Sequence, residues 1–594
     1  MRFTRAGIRP LALLAVTSLV IVACSSDDKP AATSAETTVG SNGSVPIASD
    51  GSSATTGEIP DGSADSVLAT SPGTVPGSDG THYDRWSPPG SGAEVDSITW
   101  SVPFEATSLD PLRAWAYPEN TILSNMCESV VSLTPDLQLE PGLASDIDLS
   151  DPTKVVLTVR SGVKFWDGAE MTADDVAFSL GRNLDPALGG YFGAMWVNVA
   201  SVDVTGTDQV TISLSAPDSQ LWKSLSMASG VVIERAFAEA AGDTYGTPDV
   251  GIMCTGPYQF GSWTPGDSIV IEKAADYWNP DLVPAVQEVV FRPISDSAAL
   301  TAALLTGEID GTFKSPMESV PTLQDASDMG TLYRGESTET LMMIPNTDGP
   351  LGDVRVRQAV SLVIDRTLLA ETAFGGFASP GKSIDSASTW GYATDTFASS
   401  YAELPTPDTA DVAKAEELLA DYVADKGEIT KPLILWAPGS AQAYVLTANA
   451  IADAAESIGI PMTVETPPAQ EYVYWLYDPA TRVDTDLYMT PWWTDYPDPL
   501  EAFLPITLPG IFNPFEYTNP KVDDLLAQAV AESDDSARAD LLVEARQIMF
   551  GDDLMWIPML DLASPTWLGK RITGTPVGVP ATMYTPWAAY LSAP

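Results

Sequence analysis

Histidine is nearly missing from this chain of 594 residues, which carries only His82. Serine-histidine and cysteine-histidine nucleophile systems need a base, and His82 falls in a Ser/Thr/Gly/Pro-rich stretch outside the expected fold. Neither a G-x-S-x-G elbow, an HExxH helix nor a phosphate-binding loop occurs. Cysteine is scarce too: Cys24, Cys127 and Cys254 lack the CxxC or Cys/His spacing of a metal site. No catalysis, metal or cofactor is therefore expected; a glycosidase-type carboxylate pair or a scaffolding role are the remaining different-class readings. Basic residues number 29 against 80 acidic ones, a formal charge of −51. Attraction to phosphate would be reversed, which argues against nucleic acid and anionic membrane surfaces as partners.

Long apolar runs are missing as well. The run at 11–22 follows Arg2, Arg5 and Arg9 and is shorter than the roughly 20 residues of a membrane span, the layout of a signal peptide over 1–23. It closes on Ile21-Val22-Ala23-Cys24, then turns polar through Ser25, Ser26, Asp27 and Asp28. This resembles the lipobox of bacterial lipoproteins, whose thiol accepts diacylglycerol; the resemblance implies an extracytoplasmic, or periplasmic, protein held to the cell membrane only through Cys24. Between 31 and 81 there is no aromatic and no basic residue, so 24–94 reads as a lipidated disordered tether. In an oxidising compartment the remaining even pair, Cys127 and Cys254, reads as one disulfide, with two separately buried thiols as the alternative.

The stretch from 95 to 594 exceeds what one core serves, so at least two lobes are expected. Strands are expected at 97–102, 155–159, 268–273, 288–293, 341–345, 432–436, 461–465 and 486–490. Helices are expected at 121–131, 172–183, 297–306, 411–422 and 441–457, the second opened by Thr172 as N-cap. Val356, Ala359, Val360, Val363 and Ile364 recur at helical spacing, with Arg355, Arg357 and Arg366 around them as either salt-bridge partners or a ligand carboxylate clamp.

Several stretches carry a family pattern. Leu351-Gly352-Asp353-Val354-Arg355-Val356-Arg357-Gln358-Ala359-Val360 and Trp492-Trp493-Thr494-Asp495-Tyr496-Pro497-Asp498-Pro499 are the most telling. Leu109-Asp110-Pro111, Gly162 to Val176, Cys254-Thr255-Gly256-Pro257-Tyr258 and Gly307-Glu308-Ile309-Asp310 follow in the same order. Together they resemble family 5 of the bacterial extracellular solute-binding proteins, the peptide/nickel type of ABC importers. The resemblance implies an α/β, two-lobed, periplasmic-binding-protein-like fold of the large peptide-binding type II subclass. Lobe 1 would comprise 95–135, 255–345 and 555–594, an extra subdomain 136–254, and lobe 2 346–554, with crossings near 341–346 and 553–558. A monomer that passes its solute to ABC transporter permease subunits is implied.

The Trp-Trp-Thr-Asp-Tyr motif lies just past the carboxyl end of an expected strand, where open α/β sheets bind ligands. By resemblance Asp495 matches the carboxylate that pairs with a peptide's α-amino group, with Trp492, Trp493 and Tyr496 as flat walls. The alternative is a rigid Pro497-Asp498-Pro499 turn with the aromatics in the core. An oligopeptide or dipeptide is the expected solute, with a sugar oligomer, a nickel complex or another small molecule as same-family alternatives.

Overall fold

The structure, a computed structural model, describes residues 74–76 and 82–594 other than 440, 478–481, 483 and 511. The expected signal peptide and Cys24 lie outside the described residues. Among the described residues two large mixed sheets organise the chain. The first has nine strands, in the order 74–76, 82–84, 330–335, 564–569, 311–312, 98–102, 288–293, 268–273 and 258–264. The second has six, in the order 378–380, 557–562, 340–345, 487–492, 433–436 and 462–465. Strand Leu433–Trp436 runs parallel to both Met462–Glu465 and Leu487–Trp492, with helices Gln442–Ser457 and Ala469–Tyr477 lying in the connections that parallel pairing requires.

A four-stranded antiparallel sheet, in the order 144–148, 154–159, 209–214, 199–204, forms the subdomain beside the first large sheet. Its strand Lys154–Val159 buries Val155, Leu157 and Val159 and turns Lys154, Val156 and Thr158 outward, as a period of two dictates. Helix Ala173–Gly181 opens on a capping box: the Thr172 backbone N–H donates to Asp175 Oδ2 at 2.9 Å, and the Asp175 N–H donates back to Thr172 Oγ1 at 3.4 Å. A disulfide joins Cys127 to Cys254 across a separation of 127 residues, closing the loop that contains this subdomain.

The lobe boundaries differ from the expected ones. Strands Thr340–Pro345 and Ile557–Leu562 belong to the second sheet, and the chain crosses at 336–339 and at Ala563 instead of near 341–346 and 553–558. The apolar run Leu341-Met342-Met343-Ile344 is a central strand, paired on both sides, so the change of lobe falls on the polar segment before it. The two crossings touch: the Leu562 N–H donates to the Glu339 carbonyl at 2.8 Å.

The end of the expected tether is also part of the fold. Residues 82–84 pair with 74–76 and, at Asp84, with Gly335 of the first sheet. Tyr83 is buried among Val320, Phe377 and Ala563, residues drawn from both lobes and a crossing, and its hydroxyl lies 3.0 Å from Ser379 Oγ on the second sheet. Arg85 grips Glu336 of the other crossing at 2.5 and 3.1 Å. An aromatic ring and a bidentate ion pair give this arm an anchorage that a Ser/Gly/Pro tether lacks.

Helix Val354–Leu362 places Val356, Ala359 and Val360 in the lobe 2 core. Arg355 pairs with Asp353 and Asp425, Arg357 donates to the carbonyls of Leu351, Asp553 and Leu554, and Arg366 donates to those of Ser361, Pro407 and Pro558. These arginines tie lobe 2 together. No helix among the described residues is long and apolar enough to cross a membrane.

Candidate ligand-binding site

Strand Leu487–Trp492 lies between strands 340–345 and 433–436 and buries Leu487, Tyr488 and Met489. Past its end the chain turns through 493–498 and enters helix Pro499–Thr507, whose first residue is a proline and whose N-cap is Asp498, accepting from the Leu500 N–H at 3.0 Å. This turn brings Trp493 and Asp495 to the junction of the lobes.

Asp495 is 6% exposed and makes no ion pair among the described residues. The Tyr584 hydroxyl, from the C-terminal turn Ala581–Tyr584, donates to its Oδ1 at 2.8 Å. Burial pushes the carboxyl up to about 6, and the Tyr584 bond pulls it back only in part. Glu501, in the first turn of the following helix, is fully buried; its two oxygens accept from the Asp495 N–H at 3.1 Å each, and Oε2 also accepts from the Tyr496 N–H at 3.1 Å. Burial, then the neighbouring Asp495 charge, raises its carboxyl well above the usual range.

The Trp493 ring lies 5.8 Å from that of Tyr117, the first residue of helix Tyr117–Leu123 in lobe 1. On Tyr117 sits the Lys314 ammonium, 4.0 Å from the ring centroid and 2.7 Å from Glu339 at the crossing. Lys314 adopts a left-handed backbone with φ +54°, a conformation that costs a non-glycine residue energy and clusters at ligand-binding sites. Burial raises the Tyr117 hydroxyl, Lys314 opposes that, and Glu339 and Asp495 reinforce it, so one phenol feels all three charges. Tyr444, on helix Gln442–Ser457 of lobe 2, is raised by burial and then by Glu339. The site therefore assembles residues from both lobes and a crossing around one desolvated carboxylate, with half-buried rings beside it. Such a group favours a cation, and the rings offer flat apolar contact.

The model of the bacterial extracellular solute-binding proteins, family 5 Middle, matches residues 138–513, more than half of the chain. The chain belongs to that family. A family relative, the glutathione-binding protein GsiB of Shigella dysenteriae serotype 1, is 26% identical over 475 residues, covering 79% of this chain and 89% of its own. Among solved structures, the ABC transporter substrate-binding protein CtaP of Listeria monocytogenes matches with a TM-score of 0.73 at 19% identity, covering 84% of this chain and 99% of that one. The periplasmic binding protein DppA of Helicobacter pylori, solved with the peptide STSA, matches with a TM-score of 0.68 at 20% identity, covering 84% and 99%. The fold is thus the two-lobed type II one of family 5.

Of the residues singled out from the sequence, Asp495 and Trp493 meet at the lobe junction, and Trp492 and Tyr496 do not line it. Trp492, the last residue of the strand, turns into the lobe 2 core, edge-on to Phe512 at 5.1 Å and Trp556 at 5.4 Å, whereas Trp493 opens the turn. Tyr496 is fully buried and donates to Gln220 Oε1 at 2.7 Å. Tyr117, Lys314, Glu339, Tyr444 and Tyr584 stand at the site as well, although no sequence motif marks them. Lys314 did leave a signal, as the one basic residue between Arg292 and Arg334, in a stretch otherwise free of positive charge.

Beside the site a polar seam joins the subdomain to lobe 2. Asp498, fully buried, accepts from Lys223 Nζ, from Gln220 Nε2 at 3.2 Å and from the Tyr392 hydroxyl at 3.1 Å, with Arg538 at 3.5 Å. Burial works against the Asp498 anion, but Lys223 and Arg538 outweigh it and hold the carboxyl below its usual value. Burial, with Arg538 close by, lowers Lys223 to about 8.

Proposed function

We propose that this family 5 protein is an extracytoplasmic lipoprotein, anchored through Cys24, that captures a short peptide between its lobes as a monomer and passes it to an ABC transporter. The observation that carries this reading is the Asp495 carboxylate, buried at the lobe junction with a tyrosine hydroxyl and no resident cation on it among the described residues. A peptide ammonium supplies the missing charge, Trp493 and Tyr117 flank the chain, and the hydroxyls of Tyr444 and Tyr584 tolerate bound water around variable side chains. The relatives support this choice of solute: one is named for glutathione and another was solved with the peptide STSA, and both ligands carry an ammonium. Binding without catalysis fits a site whose acid is matched to a ligand charge.

Asp495→Asn keeps the shape and removes the charge. Isothermal calorimetry against a panel of free di- to pentapeptides is expected to show affinity falling by about tenfold or more, since a desolvated pair broken on one side costs ~2–5 kcal/mol. N-acetylated peptides are expected to bind the wild type weakly and to lose little more in the variant. Equal affinity of free and acetylated peptides for the wild type refutes ammonium recognition, and absence of binding by every peptide refutes the peptide reading.

A further inference from the structure

Glu501 presents an unusual arrangement for a carboxylate. It is fully buried, it neighbours a second buried carboxylate at Asp495, and among the described residues neither acid makes an ion pair. The buried cations of the seam, Lys223 and Arg538, are committed to Asp498 three residues earlier, and Lys314 beside Tyr117 is committed to Glu339. Two adjacent anions without a counter-ion in a dry site repel each other strongly, and neighbouring acids of this kind relieve the repulsion by keeping one proton between them. The titratable groups that face the pair include Tyr584, which donates to Asp495, Tyr117, whose phenol feels the Asp495 charge, and Asp498, whose negative charge adds to the repulsion on Glu501.

The geometry also says what the pair is for. Glu501 accepts from the backbone N–H groups of both Asp495 and Tyr496, so it pins the turn that aims Asp495 at the lobe junction. We propose that Glu501 is a positioning residue that shares one proton with Asp495, so that the pair presents a single negative charge, matched to one ligand cation. This deepens the reading of Asp495 as an ammonium site and rests on it for its functional meaning. The shared proton makes capture sensitive to acid: below about pH 6 the second proton arrives and the site loses its charge.

The test uses the empty full-length protein. Acids whose folded affinity for protons exceeds the unfolded one weaken the fold as pH rises past their ordinary range, and a neutral amide removes that penalty. Glu501→Gln is therefore expected to melt several degrees above the wild type at pH 7.5, with the gain vanishing toward pH 4.5. Were Glu501 an ordinary anion held by two amides, the variant would lose stability at pH 7.5 and recover at pH 4.5, the opposite sign. Either that sign or a difference independent of pH overturns the proposal. Asp495→Asn keeps the acceptor for Tyr584 and reads the same pair from its other side: it too should gain at pH 7.5 and not at pH 4.5, and its failure to do so overturns the shared proton even where Glu501→Gln does not fold. No ligand enters this measurement, so its failure leaves ammonium recognition by Asp495 standing, whereas a failed calorimetric test leaves the shared proton standing.

Discussion

Substituting the two ends of the buried Lys223–Asp498 pair should have very unequal effects. The seam holds two buried cations, Lys223 and Arg538, against the one buried anion, Asp498, with the exposed Asp535 also on Arg538 at 2.7 Å. Asp498→Asn keeps the cap of helix Pro499–Thr507 but leaves Lys223 buried without its anion and Arg538 with Asp535 alone, so a loss of ~3–5 kcal/mol is expected. Lys223→Met leaves Asp498 with Arg538, Tyr392 and the Leu500 N–H. The charge-assisted bond it removes is worth ~1.5–3 kcal/mol. Burial and the Arg538 charge nevertheless outweigh that bond: with it included, Lys223 is lowered from 10.5 to about 8, and at 1.36 kcal/mol per unit a net of about 3 kcal/mol disfavours the charged form. Removing the ammonium together with its bond is therefore no large net loss, so Lys223→Met should cost under about 1 kcal/mol. Urea midpoints followed by tryptophan fluorescence, with unchanged slope, would read the difference. The pH dependence gives a second reading. Between about pH 8 and 10.5 the unfolded chain holds the Lys223 proton that the folded chain releases, so this group's contribution to stability rises with pH across that window. Lys223→Met should abolish that rise. Equal losses for the two variants at pH 7 would refute the charge count.

Two further outcomes are expected. Replacing Cys127 and Cys254 by serine opens a loop of 127 residues, for which chain entropy predicts a loss of about 5 kcal/mol; an unchanged denaturation midpoint under reducing and oxidising conditions would refute it. Cys24→Ala should abolish incorporation of labelled palmitate, and incorporation that survives the change would refute lipidation at this residue.

Some of this was legible in the residues. The strands at 288–293 and 268–273 and the helix at 297–306 stand where periodicity and turn residues put them, because each is a local pattern bounded by Pro, Gly or Asp. The helix expected at 121–131 instead spans Tyr117–Leu123, since Pro118 fixes its first turn and the chain leaves helical geometry before the disulfide at Cys127. Asp495 could be found because it stands in a contiguous motif at a strand end. Its companions could not, because Tyr117, Lys314, Glu339, Tyr444 and Tyr584 are far apart in sequence and meet only through tertiary contact. Trp492 and Trp493 show the same limit in miniature: composition treats the pair alike, and the strand end falls between them, leaving one in the core and the other on the turn at the site.

The arm at 82–87 gives the molecule an entry point whose position has a mechanical meaning. Tyr83 wedges between residues of both lobes, and Arg85 holds Glu336 at a crossing, so the chain joins the fold beside the crossings, about which any hinge closure of the two bodies would turn. A point on a rotation axis hardly travels when the bodies swing. A pull delivered through the N-terminal chain would therefore have little leverage over the opening and shutting of the jaws, and either lobe could turn to meet a docking partner without dragging its mooring.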